Sequence, residues 1–383
     1  MSKIVLIHSQ AGIDWKSNSA VFAVELARRL DNYFEVELLC GAECGSFSRP
    51  LNFLPRASAG FVSSASRLSR GWFQRSQVAI EPVASFLPCV SYLLNHPADL
   101  ILPQDGYSSL LAAACVRKLR KTPILFTEHC GLSNRGRSLK RNLTLRPDRL
   151  IAPNPAVAKA ARWLAPAQTI DTIPFGVDPT EFTPTGEPMQ TGLSKPCAIA
   201  VETLDRQSDR RVELVIEAVA RVPNLSLLIC GEGADRSYYQ ELGERLLGRS
   251  RFQIRSFAYA QMPQVYRSVS VFTSAATKEF CGLKYIEAMA CGLPVVATDD
   301  TVRRYLIGRG GKTCDVSDLD AYSSCLQSAI VKHWYQQQPR QNALKFSWQG
   351  VTLLYYQAVL KTMNTSASLR QFVPSGNNLH LLK

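Results

Sequence analysis

The chain has 383 residues, of which 46% are hydrophobic and 20% are charged. This length exceeds what one hydrophobic core usually supports, so the sequence predicts two domains of about 150–200 residues each. No uninterrupted apolar run reaches the length of about 18 residues that a spanning helix needs, which argues against such a helix. The eleven cysteines show no metal-binding spacing, and we expect most of them to be small buried side chains in a reducing cytoplasm.

The formal net charge of +13 is unevenly distributed. Residues 1–170 hold 21 Lys and Arg against 11 Asp and Glu, whereas residues 171–383 hold 23 against 20. A basic face attracts nucleic acid, an anionic membrane or an acidic substrate. No nucleic-acid-binding module is recognisable, so we expect no nucleic-acid partner.

Residues 44–80 contain no acidic residue. Basic and aromatic side chains alternate there, a composition that suits an anionic membrane surface. The alternative is a long solvated loop and helix near a substrate cleft. The interleaved side chains are Arg49, Arg56, Arg67, Arg70 and Arg75 with Phe47, Phe53, Phe61, Trp72 and Phe73.

In the first half, strand patterns alternate with helical patterns. "KIVLIHS" predicts a first buried strand, since its apolar run is too short for a signal-peptide core. "SNSAVFAVELARRL" has apolar residues at helical spacing, and "FEVELLC" predicts the next strand. Further strands are predicted in "DLILPQ", "TPILFTEH", "RLIAPN" and "DTIPFGVD". We assign residues 1–178 to an N-terminal domain.

The segment 174–196 is rich in Pro, Gly and Thr, and residues 179–196 are the predicted linker. The alternation then restarts with "CAIAVE" and "LSLLICGEG", so residues 197–345 form a second predicted domain. A closing helix is predicted over residues 348–363, followed by a polar tail over 366–383. This alternation predicts an α/β fold with parallel sheets covered on both faces.

The segment "KEFCGLKYIEAMACGLPVVATDD", residues 278–300, carries the most chemistry. Its pattern predicts a helix that starts near Gly282, just past the carboxyl end of a buried strand. Free N–H groups at such a helix start, here at Gly282 and Leu283, favour a phosphate. Glu279 precedes the helix and Glu287 lies inside it. The two carboxylates could therefore bracket a sugar, a diphosphate and a ribose.

This segment closely resembles the Glu-x7-Glu element of retaining glycosyltransferases of family 4, which have the GT-B fold of two Rossmann-like domains facing across a cleft. "TIPFGVDPTEFTP", "LLICGEG", "FTEHCG" and "FSWQGVTLLYY" resemble other blocks of that family. The resemblance extends to about residue 365, and the closing helix is then expected to pack on the N-terminal domain.

The resemblance implies roles for individual residues. Glu279 would bind the donor sugar, His129 would lie near the sugar's reacting face, and Arg210 would neutralise the diphosphate. The remaining residues are expected to bind the donor: Gly282 and Leu283 its phosphates, Glu287 its ribose, with Gly231, Gly233 and Arg206 nearby. Ser17 and Asn18 occupy the N-terminal loop where the family carries a Gly-Gly pair.

The first loop of the second domain also departs from the family. Gly-Arg is usual where this chain has Glu202 and Thr203, and Arg210 and Arg211 stand where Lys-Gly is usual. The sequence therefore indicates a retaining, metal-independent hexosyltransferase that uses a nucleotide-sugar and a glycan or lipid-linked acceptor, without a cofactor. It would be cytoplasmic, at the inner face of the membrane. The alternative is a degenerate member that binds nucleotide-sugar or glycan without turnover.

Two acidic motifs are interpreted as helix caps. Asp105 precedes a predicted helix, and the "DLD" at Asp318–Asp320 lies at another helix start, where capping is favoured over metal binding. A dinucleotide-dependent dehydrogenase is excluded because "HSQAGIDWKSN" lacks the G-x-G-x-x-G pattern after the first strand.

Overall fold

The computed structural model describes residues 1–13, 17–51, 81–129, 131–132, 136–279, 281–331 and 338–371. Its description leaves out the side chains of 81–84 and 366–371. Most of the basic and aromatic segment 44–80 therefore lies outside the described residues, and its membrane contact stays a prediction. Two compact units are present. Unit 1 comprises Met1–Pro153, Val157–Ile173 and Thr352–Lys383, and unit 2 comprises Asn154–Ala156 and Pro174–Val351.

Unit 1 is an α/β unit whose paired strands are all parallel. Its sheet runs in the order β3-β2-β1-β4, and a parallel bridge from Ile101 to Ile124 leads on to β5-β6-β7. The strands are β1 Lys3–His8, β2 Glu35–Cys40, β3 Ser48–Pro50, β4 Leu100–Pro103, β5 Leu125–Thr127, β6 Arg149–Ala152 and β7 Ile170–Thr172. The helices are α1 Asn18–Leu30, α2 Glu81–Asn95, α3 Tyr107–Arg120, α4 Arg137–Leu143 and α5 Pro155–Leu164.

Unit 2 repeats this plan with one six-stranded parallel sheet in the order β10-β9-β8-β11-β12-β13. Its strands are β8 Cys197–Val201, β9 Ser226–Cys230, β10 Phe252–Arg255, β11 Val271–Ser274, β12 Val295–Thr298 and β13 Gly311–Cys314. Its helices are α6 Val212–Ala220, α7 Arg236–Leu247, α8 Met262–Ser268, α9 Leu283–Ala290, α10 Thr301–Ile307, α11 Leu319–Val331 and α12 Gln338–Leu344. The last helix, α13 Trp348–Gln371, follows.

Both strand orders reverse at one point, between β1 and β4 in unit 1 and between β8 and β11 in unit 2. Connections leave such a point in opposite directions, so a crevice opens there at the carboxyl ends of the strands. The central strands are apolar and fully buried because helices cover both faces, as their near-continuous hydrophobic sequences predict. The fold thus directs attention to the residues that follow β1, β4, β8 and β11.

The closing helix packs on unit 1. The Tyr355 hydroxyl lies 3.1 Å from Thr127 Oγ1, and the Tyr356 ring packs against Tyr33 and Phe34. The helix continues to Gln371, beyond the predicted end at residue 363 and into the predicted tail. After Gly350 in its first turn, neither proline nor glycine occurs before Pro374, which explains the extension. Residues 372–383 lie outside the described part.

The two predicted acidic caps have different outcomes. Asp318 Oδ1 accepts hydrogen bonds from the backbone N–H groups of Asp320 and Ala321, which confirms the cap on α11. The cap predicted for Asp105 is wrong, because Gly106 precedes α3 and Asp105 Oδ2 accepts instead from the Ser9 amide, 2.8 Å away. The competing interaction is tertiary: it ties the loop after β4 to the loop after β1.

Across the helices built from described residues, none is both long and apolar enough to cross a membrane.

Candidate functional site

In unit 2, four charged side chains meet where the strand order reverses. Glu202 follows β8 directly, and its side chain is 1% exposed. Lys284 Nζ lies 2.7 Å from Glu202 Oε1 and 3.8 Å from Glu279 Oε2. Arg210 lies 3.6 Å from Glu202 Oε2 and 3.7 Å from Glu279 Oε2. Two carboxylates and two cations thus form a compact, electrically balanced group, which we call the ionic cluster.

The backbone explains why these four residues converge. Glu202 ends the strand on one side of the reversal, while Glu279 and Lys284 come from the loop and helix that follow β11 on the other side. The Ser274 hydroxyl, at the end of β11, donates to Glu202 Oε1 and joins the two strand ends. Arg210 comes from the loop that precedes α6.

Glu279 also contacts the start of α9. Its Oε1 accepts a hydrogen bond from the Gly282 amide at 3.2 Å, and Gly282 has a left-handed φ of 60°. A Cβ on Gly282 would lie 2.2 Å from Leu306 Cδ1, so glycine is required here for both space and conformation. The first N–H groups of a helix lack intrahelical partners, which makes this helix start suitable for an anion.

Glu287 lies deeper in α9 and is 4% exposed. Tyr259 donates to its Oε1 at 2.7 Å, and Tyr266 donates to its Oε2 at 3.2 Å. Burial raises the pKa of Glu287 to about 7, although the two tyrosine hydrogen bonds oppose that rise. Because Tyr259 is 54% exposed and Tyr266 is fully buried, only the Tyr259 hydroxyl can leave without disturbing the core.

Two glycines predicted to bind the donor have a clear packing role. A Cβ on Gly231 would lie 1.8 Å from the Glu202 carbonyl oxygen, and one on Gly233 would lie 2.1 Å from the Leu204 carbonyl oxygen. The backbone of the loop after β9 therefore packs directly against the backbone of the loop after β8, with no side chain between them. Donor binding by these glycines stays a prediction.

Arg206 and Arg211, from the same loop as Arg210, lie apart from the ionic cluster. The Arg206 guanidinium stacks over the Tyr238 ring at 4.1 Å from its centroid. Arg211 donates to the Ala275 carbonyl at 2.7 Å and to Ser317 at 3.1 Å. Of the predicted donor cations, the structure brings Arg210 but not Arg206 to Glu279.

Unit 1 has a second polar group at the ends of β4 and β5, beside its own reversal point, which we call the neutral network. His129 Nε2 donates to Gln104 Oε1 at 2.7 Å, and Gln104 Nε2 donates to Thr127 Oγ1 at 2.9 Å. This pattern assigns the proton to Nε2 and makes Nδ1 an acceptor. Burial, reinforced by nearby His8, lowers the pKa of His129 to about 3, so its ring is neutral at physiological pH.

The predicted N-terminal loop residues belong to the same region. The Ser17 hydroxyl lies 3.1 Å from that of Ser19, which lies 3.1 Å from His8 Nε2. Asn18 begins α1. Among the residues that the structure describes, no three His, Cys, Asp or Glu side chains come together as a metal site.

Sequence reasoning singled out Glu279, Glu287, Arg210 and His129 but assigned no role to Lys284, Tyr259, Gln104 or His8. Two signals were present. Glu202 is a charged residue directly after a buried apolar strand, and Lys284 is the one cation in the helical stretch "GLKYIEAMA". Neither signal predicts that the two residues are in contact, because positions 202 and 284 lie far apart in the chain.

Comparison with known proteins agrees with this architecture. Sucrose-phosphate synthase from Thermosynechococcus elongatus superposes with a TM-score of 0.74 at 18% identity, covering 95% of this chain and 100% of that chain. Anabaena HepE in complex with UDP and glucose superposes with a TM-score of 0.67 at 17% identity, covering 94% and 100%. At such identities the likeness establishes the fold alone.

The sequence relatives match smaller parts of this chain than the solved structures do. EpsD of Bacillus subtilis (strain 168) is 24% identical over 282 residues, which are 66% of this chain and 74% of EpsD. The phosphatidyl-myo-inositol mannosyltransferase of Mycolicibacterium smegmatis is 28% identical over 208 residues, 50% of this chain and 53% of that protein. The match to the O-antigen chain mannosyltransferase B of Escherichia coli covers 25% of that protein.

Two family models together span most of the chain. The model described as glycosyltransferase family 4 matches residues 19–181, and the model described as glycosyl transferases group 1 matches residues 192–346. The first covers most of unit 1 and the second most of unit 2. The chain therefore belongs to the family 4 glycosyltransferases and has the GT-B fold of two Rossmann-like domains.

Proposed function

We propose that this protein is a retaining glycosyltransferase that moves a hexose-type sugar from a nucleotide-sugar donor to a glycan or lipid-linked acceptor. The observation that carries the proposal is the position of Glu279. Its carboxylate lies at the strand reversal of unit 2, between the Gly282 amide and the cations Arg210 and Lys284. An anion-binding helix start, a sugar-binding acid and counter-charges thus occur together.

In the proposed reaction, the bond between the anomeric carbon and the phosphate oxygen breaks and the acceptor oxygen bonds to the same face of that carbon. The acceptor's proton passes to the departing diphosphate. Negative charge grows on that diphosphate as the bond breaks, so the helix amides and Arg210 would stabilise the transition state more than the ground state. This assignment needs neither a metal nor another cofactor.

The relatives support the donor and acceptor classes by their names. HepE was solved with UDP-glucose, and two relatives are a phosphatidyl-myo-inositol mannosyltransferase and a human phosphatidylinositol N-acetylglucosaminyltransferase subunit. We therefore propose a UDP-linked hexose as donor and a lipid-linked or glycan acceptor. The basic first half of the chain would hold the protein at the anionic inner face of a membrane, on the cytoplasmic side.

The second candidate, binding without turnover, is favoured by one observation. In the structure, Glu279 accepts from Gly282, and both oxygens of Glu287 accept from tyrosines. Donor binding must therefore displace intramolecular contacts. A protein that has lost turnover would keep these contacts and bind nucleotide weakly.

One experiment separates the two candidates. UDP-glucose, UDP-N-acetylglucosamine and GDP-mannose are each incubated with the full chain, and the melting temperature and released nucleoside diphosphate are measured. Turnover predicts release from at least one donor, its loss in Glu279→Gln, and its retention in the control Glu244→Gln on α7. A melting shift without release would favour the second candidate, and neither shift nor release would contradict both.

A further inference from the structure

Lys284 is unusual for its surroundings. It is the second residue of α9, where six of the eight residues are buried, and its own side chain is 15% exposed. Its ammonium also donates to the Val201 carbonyl oxygen at 3.2 Å, next to Glu202. Lysine is almost never buried unless it is paired, so a specific interaction must hold this one in place.

Glu202 is the main partner of Lys284, and stability alone does not account for the pair. Taking two charges out of water is costly, and a buried ion pair is often no more stable than two packed apolar side chains. Each member nonetheless needs the other, because a single buried charge is strongly destabilising. We therefore expect the charge of Lys284 to have a function other than stability.

The position of the pair suggests that function. Lys284 Nζ lies 3.8 Å from Glu279 Oε2, and the other oxygen of that carboxylate accepts from the Gly282 amide. One carboxylate thus connects the lysine to the anion-binding start of α9. Thr203, the residue after Glu202, is exposed beside this cluster.

We propose that Lys284 supplies a fixed positive charge at the start of α9: it positions Glu279 and counters the charge of the donor diphosphate, and Glu202 holds it there. This inference rests on the proposed function.

The protonation of Lys284 is consistent with this role. Burial alone would lower the pKa of its ammonium, but Glu202, Tyr285 and Glu279 together outweigh burial, and the net pKa is raised above the ordinary lysine value. The side chain is therefore a permanent cation at physiological pH. A titrating amine would not provide a dependable counter-charge.

The test separates a catalytic use of the charge from mere neutralisation of Glu202. The double variant Glu202→Gln/Lys284→Met removes both charges, so no unpaired buried charge remains. We expect its melting temperature to stay near that of the wild type, while kcat for nucleoside diphosphate release falls by about tenfold or more. Lys284→Met alone should lower both the melting temperature and kcat.

A rescue variant tests the substitution of one cation for another. Adding Thr203→Arg to the double variant should restore much of the lost kcat, because arginine then returns the charge from the loop after β8. Lys284→Arg in the wild-type background should also keep turnover. Lys312→Met is the matched control, since Lys312 is a partly buried lysine of unit 2 that bonds Ser328 on α11.

The outcomes are distinct. Wild-type turnover in the double variant would show that Lys284 only neutralises Glu202, and would overturn the proposal. Loss of turnover without rescue by Thr203→Arg would overturn it too. If the wild type itself releases no nucleoside diphosphate from UDP-glucose, UDP-N-acetylglucosamine or GDP-mannose, the proposed function fails first, which is a different result. If the double variant does not fold, the Lys284→Arg and Lys284→Gln pair is compared for kcat, and equal loss in both contradicts the proposal.

Discussion

The two units have the same strand order at their reversal points but carry different chemistry beside them. The neutral network of unit 1 links His129, Gln104 and Thr127 through hydrogen bonds, without a net charge. The ionic cluster of unit 2 holds Glu202 and Glu279 against two cations. One sheet plan therefore presents hydrogen-bonding groups in one unit and charges in the other.

The difference matches the partners proposed for each unit. A diphosphate carries charge that grows during bond cleavage, so fixed cations and helix amides suit it. A sugar or acceptor hydroxyl is neutral, and an unprotonated histidine nitrogen can accept its hydrogen bond without a charge to desolvate. Substitutions that act on one unit at a time test this contrast between the clusters.

The largest effect is expected from Gly231→Ala, which displaces the backbone at Glu202 and so disturbs the ionic cluster. The new Cβ would lie 1.8 Å from the Glu202 carbonyl oxygen, so the loop after β8 must move. We expect a loss of about 3 kcal/mol in the free energy of unfolding, measured by urea denaturation. In Gly350→Ala, the control, the Cβ meets Ser347 Oγ only at 3.5 Å. A stable Gly231→Ala that loses nucleotide binding would instead indicate a direct donor role.

The next effect concerns the pH dependence of unit 2. The pKa of Glu287 is raised to about 7 in the folded protein from an ordinary value of 4.5, so the folded state keeps its proton longer than the unfolded state does. Its stabilising contribution is complete below pH 4.5 and is lost as pH rises through 7, by about 3 kcal/mol. Glu287→Gln should remove this loss and gain stability relative to the wild type between pH 5 and pH 8. An unchanged difference between the two proteins over that range would contradict the assignment.

Unit 1 should respond to pH in the opposite sense. The pKa of His129 is lowered to about 3 from 6.5, so the unfolded state binds the proton first. Stability is then lost as pH falls below 6.5, by about 2 kcal/mol at pH 5. His129→Gln keeps a donor for Gln104 but cannot titrate, so its unfolding free energy should fall less between pH 7 and pH 5. His96→Gln, on an exposed histidine, is the control, and an equal response in both variants would refute the prediction.

The sequence predicted the fold well because its evidence is local. Apolar strands such as "KIVLIH" and "CAIAV" are buried on both faces, and a left-handed glycine precedes α9 at the predicted place. The ionic cluster was only partly predictable. Glu279 and Arg210 follow from motif positions, but the contact between Glu202 and Lys284 depends on which strands are neighbours. The same holds for the cap predicted at Asp105, where a tertiary bond to Ser9 replaced the local one.

The smallest expected effect distinguishes the two tyrosines on Glu287. The exposed Tyr259 hydroxyl occupies the oxygen that a ribose hydroxyl would need, whereas the hydroxyl of the buried Tyr266 bonds the other oxygen. Tyr259→Phe should tighten UDP binding about fivefold, because one hydrogen bond of about 1 kcal/mol no longer has to break. Tyr266→Phe should lower the melting temperature without tightening UDP binding, since that hydroxyl never has to leave. Calorimetric titration of both variants measures the contrast. Equal UDP affinities in the two would mean that the ribose does not reach Glu287, and the donor position proposed for unit 2 would then have to move away from α9.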